Sequence, residues 1–262
     1  MLTTLDQILA TTRAGLPALQ ARRRDLERRA GTAVSRPAFL SGWDRRRLAL
    51  VAEVKRRSPS AGTISAGLDP VAHARTYAAA GASAISVLTD GPYFGGSLAD
   101  LEQVAGAVPV PLIRKDFILD ELQILEARAA GASAVLLIVR ALPLPRLREL
   151  LAFARDLGLE ALVEAHDARE LALALETDAR YLGVNSRNLD TFVVDVDAAW
   201  ALLAAIPPDR VAIAESGMAS EADVRKAAAA GADGVLIGTA LSGAADPSGL
   251  VRTVSSLPRT GR

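Results

Sequence analysis

The sequence predicts a (β/α)8 barrel preceded by an N-terminal helical extension, and three observations predict it. The chain has 262 residues, 50% of them hydrophobic, close to the roughly 250 that such barrels use. A motif of glycine, alanine and a short polar residue ahead of an apolar run recurs at Gly81, Gly131 and Gly231, at intervals of 50 and 100 residues. Charged and amide side chains gather at the ends of the apolar runs, where the loops of a barrel build its site.

Residues 1–47 differ in character from the rest and form the expected extension; residues 48–257 form the barrel of the same single domain, 1–262. Thr4 or Asp6 suits the cap of a short helix. Leu19 and Leu26 stand at helical spacing in a basic stretch ending at Arg29, and Pro17 suits the first turn of that second helix. The run Arg22-Arg23-Arg24 reads as a solvated helix face. These helices are expected to pack ahead of, or across, the barrel.

The first strand is the run Leu48 to Val54, which carries Glu53 and then Lys55 two residues apart. Period-two geometry turns both side chains to one face, and a buried charged pair there needs a partner or a use. After it comes the rhythm. Gly81-Ala82-Ser83-Ala84-Ile85, Gly131-Ala132-Ser133-Ala134-Val135 and Gly231-Ala232-Asp233-Gly234-Val235 each close a helix with glycine and open a strand, at multiples of a βα unit of about 25 residues. Thr177-Asp178-Ala179-Arg180-Tyr181-Leu182-Gly183 falls near the missing beat, without the leading glycine. Strands are therefore expected at 49–54, 84–88, 110–114, 134–139, 160–164, 180–184, 210–214 and 234–238. Helices are expected near 69–80, 98–107, 120–130, 143–157, 167–176, 195–205, 219–230 and 247–256. This alternation argues a parallel barrel. A doubly wound open sheet is the other option, but no G-x-G-x-x-G follows the first strand.

Composition narrows the function. Thirty basic and thirty acidic residues cancel, which leaves no field for nucleic acid. Cysteine is absent, so disulfides, thiolate zinc sites and a cysteine nucleophile are excluded. The two histidines, His73 and His166, stand far apart, and no metal is expected. No apolar stretch approaches the roughly 20 residues that span a bilayer, and the opening residues lack the form of a signal peptide. A cytoplasmic monomer without membrane or nucleic-acid partners is the expectation.

The strand ends supply a roster. The first offers Glu53, Lys55 and Ser58; the third Arg114-Lys115-Asp116-Phe117; the fifth Glu164-Ala165-His166. The sixth offers Asn185-Ser186-Arg187-Asn188, the seventh Glu215-Ser216-Gly217 and the eighth Gly238-Thr239-Ala240. One such group is easily a satisfied structural residue, but charges or amides on most of the strands at one rim are hard to explain as packing. Ser216-Gly217 and Gly238-Thr239 follow the last two strands, where barrels commonly hold phosphate on backbone N–H groups and a short helix. Lysines, carboxylates and a phosphate cradle together suit acid–base chemistry on a small phosphorylated sugar or ketose, the expected partner.

These residues also carry a family likeness. Ala52-Glu53-Val54-Lys55 with Ser58-Pro59-Ser60, Leu88-Thr89-Asp90 with Tyr93-Phe94-Gly95-Gly96-Ser97, and Arg114-Lys115-Asp116-Phe117-Ile118 resemble indole-3-glycerol phosphate synthases. So do Leu136-Leu137-Ile138-Val139, Glu164 with His166, Gly183-Val184-Asn185-Ser186-Arg187-Asn188-Leu189 and Ala214-Glu215-Ser216-Gly217. The likeness runs from about residue 48 to the last helix and is loose before it. It implies a cofactor-free lyase of tryptophan biosynthesis that converts 1-(2-carboxyphenylamino)-1-deoxyribulose 5-phosphate into indole-3-glycerol phosphate, carbon dioxide and water. By that resemblance Lys115 is the general acid at the ketose oxygen, Glu164 an acid–base group of later steps, and Asn185 holds the intermediate. Glu53 and Lys55 form an ion pair, with Lys55 near the substrate's anionic groups. Ser58 and Arg187 handle the carboxylate side or orient neighbours; Glu215, Ser216, Gly217, Gly238 and Thr239 shape or bind the phosphate end. Glu215 and Ser216 also count among the implied catalytic residues. Phe94, Phe117 and Leu136 wall the anthranilate ring. Two positions depart from the family pattern: Ala61 where relatives place a basic residue, and Thr239 where acidic or small hydroxyl residues occur.

Two rivals make different demands. A phosphoribosyl isomerase relies on a Cys–Asp or Asp–Asp pair, and cysteine is absent here. A catalytically dead sugar-phosphate-binding barrel predicts a decayed roster, whereas Glu53, Lys55, Lys115, Glu164 and Asn185 are all in place.

Overall fold

The computed structural model describes residues 4–260; of the opening stretch read for a leader, residues 1–3 lie outside it. Eight strands alternate with helices: β1 (Ala49–Val54), β2 (Ala84–Leu88), β3 (Leu112–Lys115), β4 (Ala134–Ile138), β5 (Glu160–Ala165), β6 (Tyr181–Asn185), β7 (Val211–Glu215) and β8 (Gly234–Ile237). They pair in parallel in the order β1-β8-β7-β6-β5-β4-β3-β2 and close on themselves, the expected barrel. Strand β3 starts at Leu112 rather than 110, because Pro109 and Pro111 have no N–H to give a ladder. Strands β6 and β7 run one residue further than expected, pairing Asn185 with Glu215.

The helices are α1 (Leu5–Ala21), α2 (Arg23–Thr32), α3 (Pro70–Ala79), α4 (Leu98–Ala107), α5 (Glu121–Ala129), α6 (Leu144–Asp156), α7 (Ala168–Leu175), α8 (Val196–Leu203), α9 (Glu221–Ala229), the short α10 (Thr239–Ser242) and α11 (Ser248–Ser256). Short polar residues start most of the outer ones: Asp69, Ser97, Asp120, Asp167, Asp195 and Ser220 each accept from a backbone N–H of the first turn. Such caps satisfy donors that have no partner inside the helix. None of the described helices is long and apolar enough to cross a membrane.

The repeated glycine motif has a local cause. Gly81, Gly131 and Gly231 hold φ of +101°, +85° and +107°, a region open mainly to glycine. At each, the glycine N–H and the next N–H bond back into the helix, as in Gly81 to Ala78 (3.2 Å) and Ala82 to Tyr77 (3.0 Å), which is a Schellman ending. The polar residue that follows then reaches sideways. Ser83, Ser133 and Asp233 accept from the N–H of Leu50 (3.2 Å), Leu112 (3.3 Å) and Ala212 (2.8 Å) in the neighbouring strand. The motif thus ends a helix and fixes the register of the next strand in five residues.

Alternate strand residues face in and out. On β1, Leu50, Ala52 and Val54 join the layer against the helices, while Ala49 and Val51 join the barrel interior. Inside lie Ala84, Ile113, Ala134, Leu136, Leu162, Ile213 and Leu236, a packed core rather than a pore.

The extension wraps the barrel from mouth to floor. Thr4 and Gln7 form a capping box at the start of α1. That helix then runs through Pro17, contrary to the expectation that Pro17 begins a second helix. Pro17 and Arg13, whose carbonyl loses its helical donor, are both on the exposed side, so water replaces the missing bond. The break comes instead at Arg22. Leu26 and Ala30 of α2 pack on Leu122 and Leu125 of α5. Beyond α2 the extension is irregular and turns under the barrel, where Phe39 is wholly buried. Its ring meets Tyr181 edge-on at 5.1 Å, and the Tyr181 hydroxyl donates to the Phe39 carbonyl at 2.8 Å. Replacing Phe39 with alanine is expected to cost about 3–5 kcal/mol of stability, with the Michaelis constant unchanged. Urea unfolding and steady-state kinetics check this together, and a cost below 1 kcal/mol contradicts the plug.

Candidate active site

The inward parity of the strands brings distant residues to one rim. Glu53 and Lys55 follow Ala49 and Val51 on β1; Lys115 follows Ile113 on β3; Glu164 follows Leu162 on β5. Asn185 ends β6 and Glu215 ends β7. Together they open into a cavity of about 620 Å³ lined by all fifteen residues expected at the site, including Ser58, Phe94, Phe117, Leu136, Arg187, Ser216, Gly217, Gly238 and Thr239. Ala61 lines it as well.

Charge dominates the deep end. The Lys55 ammonium lies 2.8 Å from Glu53, the ion pair expected from their spacing. Lys115 Nζ lies 2.9 Å from Glu164 Oε2 and also bonds Glu215 Oε2. Glu53, Glu164 and Glu215 are each 3% exposed or less. Two glycines make room for them. A side chain at Gly183 would run into Glu215, and one at Gly238 would run into Glu53 and approach Lys55 Nζ to 2.8 Å.

Burial and mutual charge set the proton affinities. Burial opposes the charge on Lys115, but Glu164, Glu215 and Glu53 outweigh it and hold its pKa well above that of free lysine. Burial also works to raise Glu164, yet Lys115 and His166 pull it far below the usual carboxylate range. Glu215 goes the other way: burial, with the Glu164 charge beside it, pushes it up to about 8 in spite of Lys115. The two carboxylates are therefore pushed in opposite directions, the separation that acid–base sites need.

The other wall is apolar. Phe94 and Phe117 lie 6.0 Å apart with their rings tilted by 41°, and Leu136 lines the cavity with them. Asp90 fixes Phe94 by accepting from the N–H groups of Tyr93 (2.7 Å) and Phe94 (2.9 Å). At the rim, Arg187 Nη1 donates to Ser60 Oγ at 3.0 Å and to the Phe192 carbonyl at 3.1 Å. It thereby ties the loop after β1 to the loop after β6. Asn185 Oδ1 accepts from the Arg187 N–H at 3.0 Å, and Ser58 Oγ from the Ala61 N–H at 3.1 Å. Ser216 and Gly217 follow β7 with φ of +66° and +73°, and Thr239 opens α10 beside them. Ser242 of α10 donates to the Glu53 carbonyl (2.9 Å) and accepts from the Lys55 N–H (3.1 Å), which pins α10 to the end of β1.

The profile of the indole-3-glycerol phosphate synthase family matches residues 5–254. The chain belongs to the indole-3-glycerol phosphate synthase family. The synthase of Arthrobacter sp. (strain FB24) is 47% identical over 256 residues, covering 94% of this chain and 93% of its own. That of Kineococcus radiotolerans is 47% identical across 99% of this chain and 96% of its own. The Chlorobium chlorochromatii synthase reaches 52% over 73% and 75%. Among solved structures, the thiamine phosphate pyrophosphorylase of Pyrococcus furiosus superposes with a TM-score of 0.59 at 18% identity, over 80% of this chain and 95% of its own. The 3-hexulose-6-phosphate synthase of Salmonella typhimurium gives 0.58 at 16%, over 79% and 97%. Those two share the fold.

For three residues that the synthase likeness names, the structure adds surroundings that the likeness did not give. Glu215 turns to Lys115 at the ionic centre. Gly238, with φ of −114°, caps α10, and its lack of a side chain also clears the Glu53–Lys55 pair. Arg187 is engaged by Ser60 and Phe192, the orienting half of its expected role. The synthase likeness gave no role to Phe192, nor to Ser60 and His166, which stand in its motifs. Phe192 sits in a loop whose course the sequence leaves open, but His166 had a signal, since it stands two residues past Glu164 and shares its parity.

Two outcomes follow from this geometry. Gly183→Ala is expected to displace Glu215 and lower turnover by about 10²-fold, the scale of an ångström-sized misplacement; unaltered kinetics would show that Glu215 has room to spare. Glu215 and His166, the latter held up to about 9 by Glu164 and Glu170 against its burial, both bind protons more tightly folded than unfolded. Their contribution is complete at low pH and is lost as pH rises, for Glu215 from 4.5 towards 8 and for His166 from 6.5 towards 9. Thermal melts should therefore fall steadily between pH 6 and 9. A flat profile over that window would contradict the burial of both charges.

Proposed function

We propose that this barrel closes the pyrrole ring of indole-3-glycerol phosphate, and that the ammonium of Lys115, set between Glu164 and Glu215, starts the reaction. The substrate of the reaction is 1-(2-carboxyphenylamino)-1-deoxyribulose 5-phosphate. Its anthranilate ring rests against Phe94, Phe117 and Leu136, and its phosphate lies by Ser216, Gly217 and Thr239. Its carboxylate is held on the side of Lys55, Ser58 and Arg187.

Pushed by the aniline nitrogen, the ring carbon that bears the carboxylate attacks the ketose carbonyl carbon. The carbonyl π electrons move to oxygen, and Lys115 delivers a proton there, leaving a hydroxyl. A group whose proton is held by neighbouring carboxylates gives it up as the oxygen gains charge, which confines the help to the transition state. Carbon dioxide then leaves, and its bonding pair restores the aromatic ring. The apolar wall favours this step, because it disperses a charge that water would have solvated.

Dehydration completes the indole. The nitrogen lone pair expels the hydroxyl, which departs as water with a proton from the pair Lys115–Glu215. Glu164, kept ionised, accepts the proton from the adjacent carbon, and Asn185 holds the intermediate in place. One chain furnishes every group, which supports a working monomer.

The observation that carries this reading is the Lys115 ammonium 2.9 Å from Glu164 in a pocket with an apolar wall. Lys115→Met is expected to lose about 10²–10⁴-fold in turnover, with little change in substrate affinity. Lys55→Met should weaken binding more than turnover. Single-turnover kinetics followed by indole fluorescence separate the two. Near-normal turnover in Lys115→Met would overturn its assignment as the acid.

A further inference from the structure

His166 stands two residues beyond Glu164 at the end of β5, yet it lines no part of the cavity. Its side chain is 3% exposed, with Nδ1 3.0 Å from Glu170 Oε2 and Nε2 3.2 Å from Glu164 Oε1. Glu170 lies in the first turn of α7 and also takes the His166 backbone N–H at 2.9 Å. On its far side Glu170 meets Arg140 Nε at 2.5 Å. Arg140, in the turn after β4, reaches Asp167 (3.3 Å) and Asp190 (3.2 Å) as well. A row of buried and half-buried groups therefore runs inward from the rim: Arg140, Glu170, His166, Glu164, Lys115, Glu215.

The chemistry of the ring decides its charge in that row. A neutral imidazole has one N–H and one lone pair, so against two carboxylates it must turn the lone pair toward one of them. Only the imidazolium presents positive charge to both. Nε2 is close to Glu164 but poorly aligned for a hydrogen bond, so what it gives Glu164 is chiefly charge. Glu164 accordingly faces two cations, His166 and Lys115. Glu215 faces Lys115 alone, and its Oε1 is buried with no hydrogen-bond partner.

We propose that His166 is a positioning residue whose imidazolium decides which carboxylate beside Lys115 is ionised, fixing the charge on Glu164 and leaving the shared proton on Glu215. It works through Glu164 and touches no substrate. Glu170, backed by Arg140, keeps the ring charged and oriented. The carboxylates hold that charge against the cost of burial, with a midpoint of about 9, so it persists at neutral pH. In kinetic terms this inference rests on the assignment of Glu164 as an acid–base group above.

The test has two arms. The chain has only two histidines, so a ¹⁵N spectrum of the unaltered protein resolves His166 once His73→Gln identifies the other ring. Two protonated nitrogens at pH 7 are expected; the pattern of a neutral tautomer would overturn the proposal. This arm reads charge without turnover, so it stands apart from the role given to Glu164 in the reaction. The second arm is the pH profile of His166→Gln, which removes the charge and keeps a polar side chain. Its acidic limb in turnover should move up by about 1–3 units, the scale of one opposite charge at close range, with activity regained above that limb and the Michaelis constant little changed. Glu170→Gln should move the same limb the same way by less, and it serves if His166→Gln folds poorly. Loss of turnover by one factor at every pH in both variants would mean a structural role only and would sink the proposal.

Discussion

An ammonium buried at the centre of a barrel must be neutralised, and much of this structure is arranged around that need for Lys115. Two carboxylates meet it from β5 and β7, strands that the sequence separates by fifty residues. Glu215 could not lie where it does if β6 carried a side chain at Gly183, and Gly238 makes the same room for Glu53 and Lys55. The neighbour of Lys115 on the outer face is equally constrained. Arg114 donates to Thr89 Oγ1 (3.0 Å), Asp116 (3.0 Å), the Gln123 carbonyl (2.7 Å) and Glu126 (3.2 Å). That buried fork clamps the end of β3 between β2 and α5, so the lysine beside it has little freedom. Removing one member of such a set leaves its partner charged and unpaired, which typically costs about 3–5 kcal/mol.

The fold was legible because its repeat is local chemistry. A glycine that ends a helix and a serine or aspartate that seizes the next strand are written in five consecutive letters, and three copies set the beat. The fourth position does without the glycine for a reason visible only in space: the Thr177 hydroxyl donates to the Ala174 carbonyl at the end of α7 (2.6 Å) and accepts from the Ala179 N–H (3.2 Å). Pro17 misled because its usual place at a helix start ignores solvent, which rescues a carbonyl on an exposed face. The boundaries that moved did so at prolines and at strand ends whose pairing depends on a neighbour.

The site was legible where parity governs and obscure where packing does. Glu53 with Lys55, and Lys115 after Ile113, point inward by simple alternation. Glu215 obeys the same alternation, but its partner is chosen by the space beside Gly183, which the sequence does not display. Gly238 reads as part of a phosphate turn, and the letter does not show its second use, the absence of bulk that makes room for Glu53 and Lys55. His166 carried the right parity and stood in the roster, but its role stayed unread because its second carboxylate, Glu170, comes from the following helix.

The closure of β1 on β8 bears on how the chain comes to be folded. Ala49 stands opposite Gly234, and the strands between them fold from contacts with near neighbours. Joining the two ends of the sheet encloses a loop several times longer than the step from one strand to the next, which adds about 2 kcal/mol of entropic cost. Until that join is made, the edge of β1 is an open ladder, able to pair with another chain. The Glu53–Lys55 pair lies on that edge and receives its cover only when Gly238 and α10 arrive. A ribosome releasing the chain from its N-terminus thus holds an unfinished barrel whose exposed edge carries charges, and charges on an edge are what discourage the wrong pairing while the last strand is awaited.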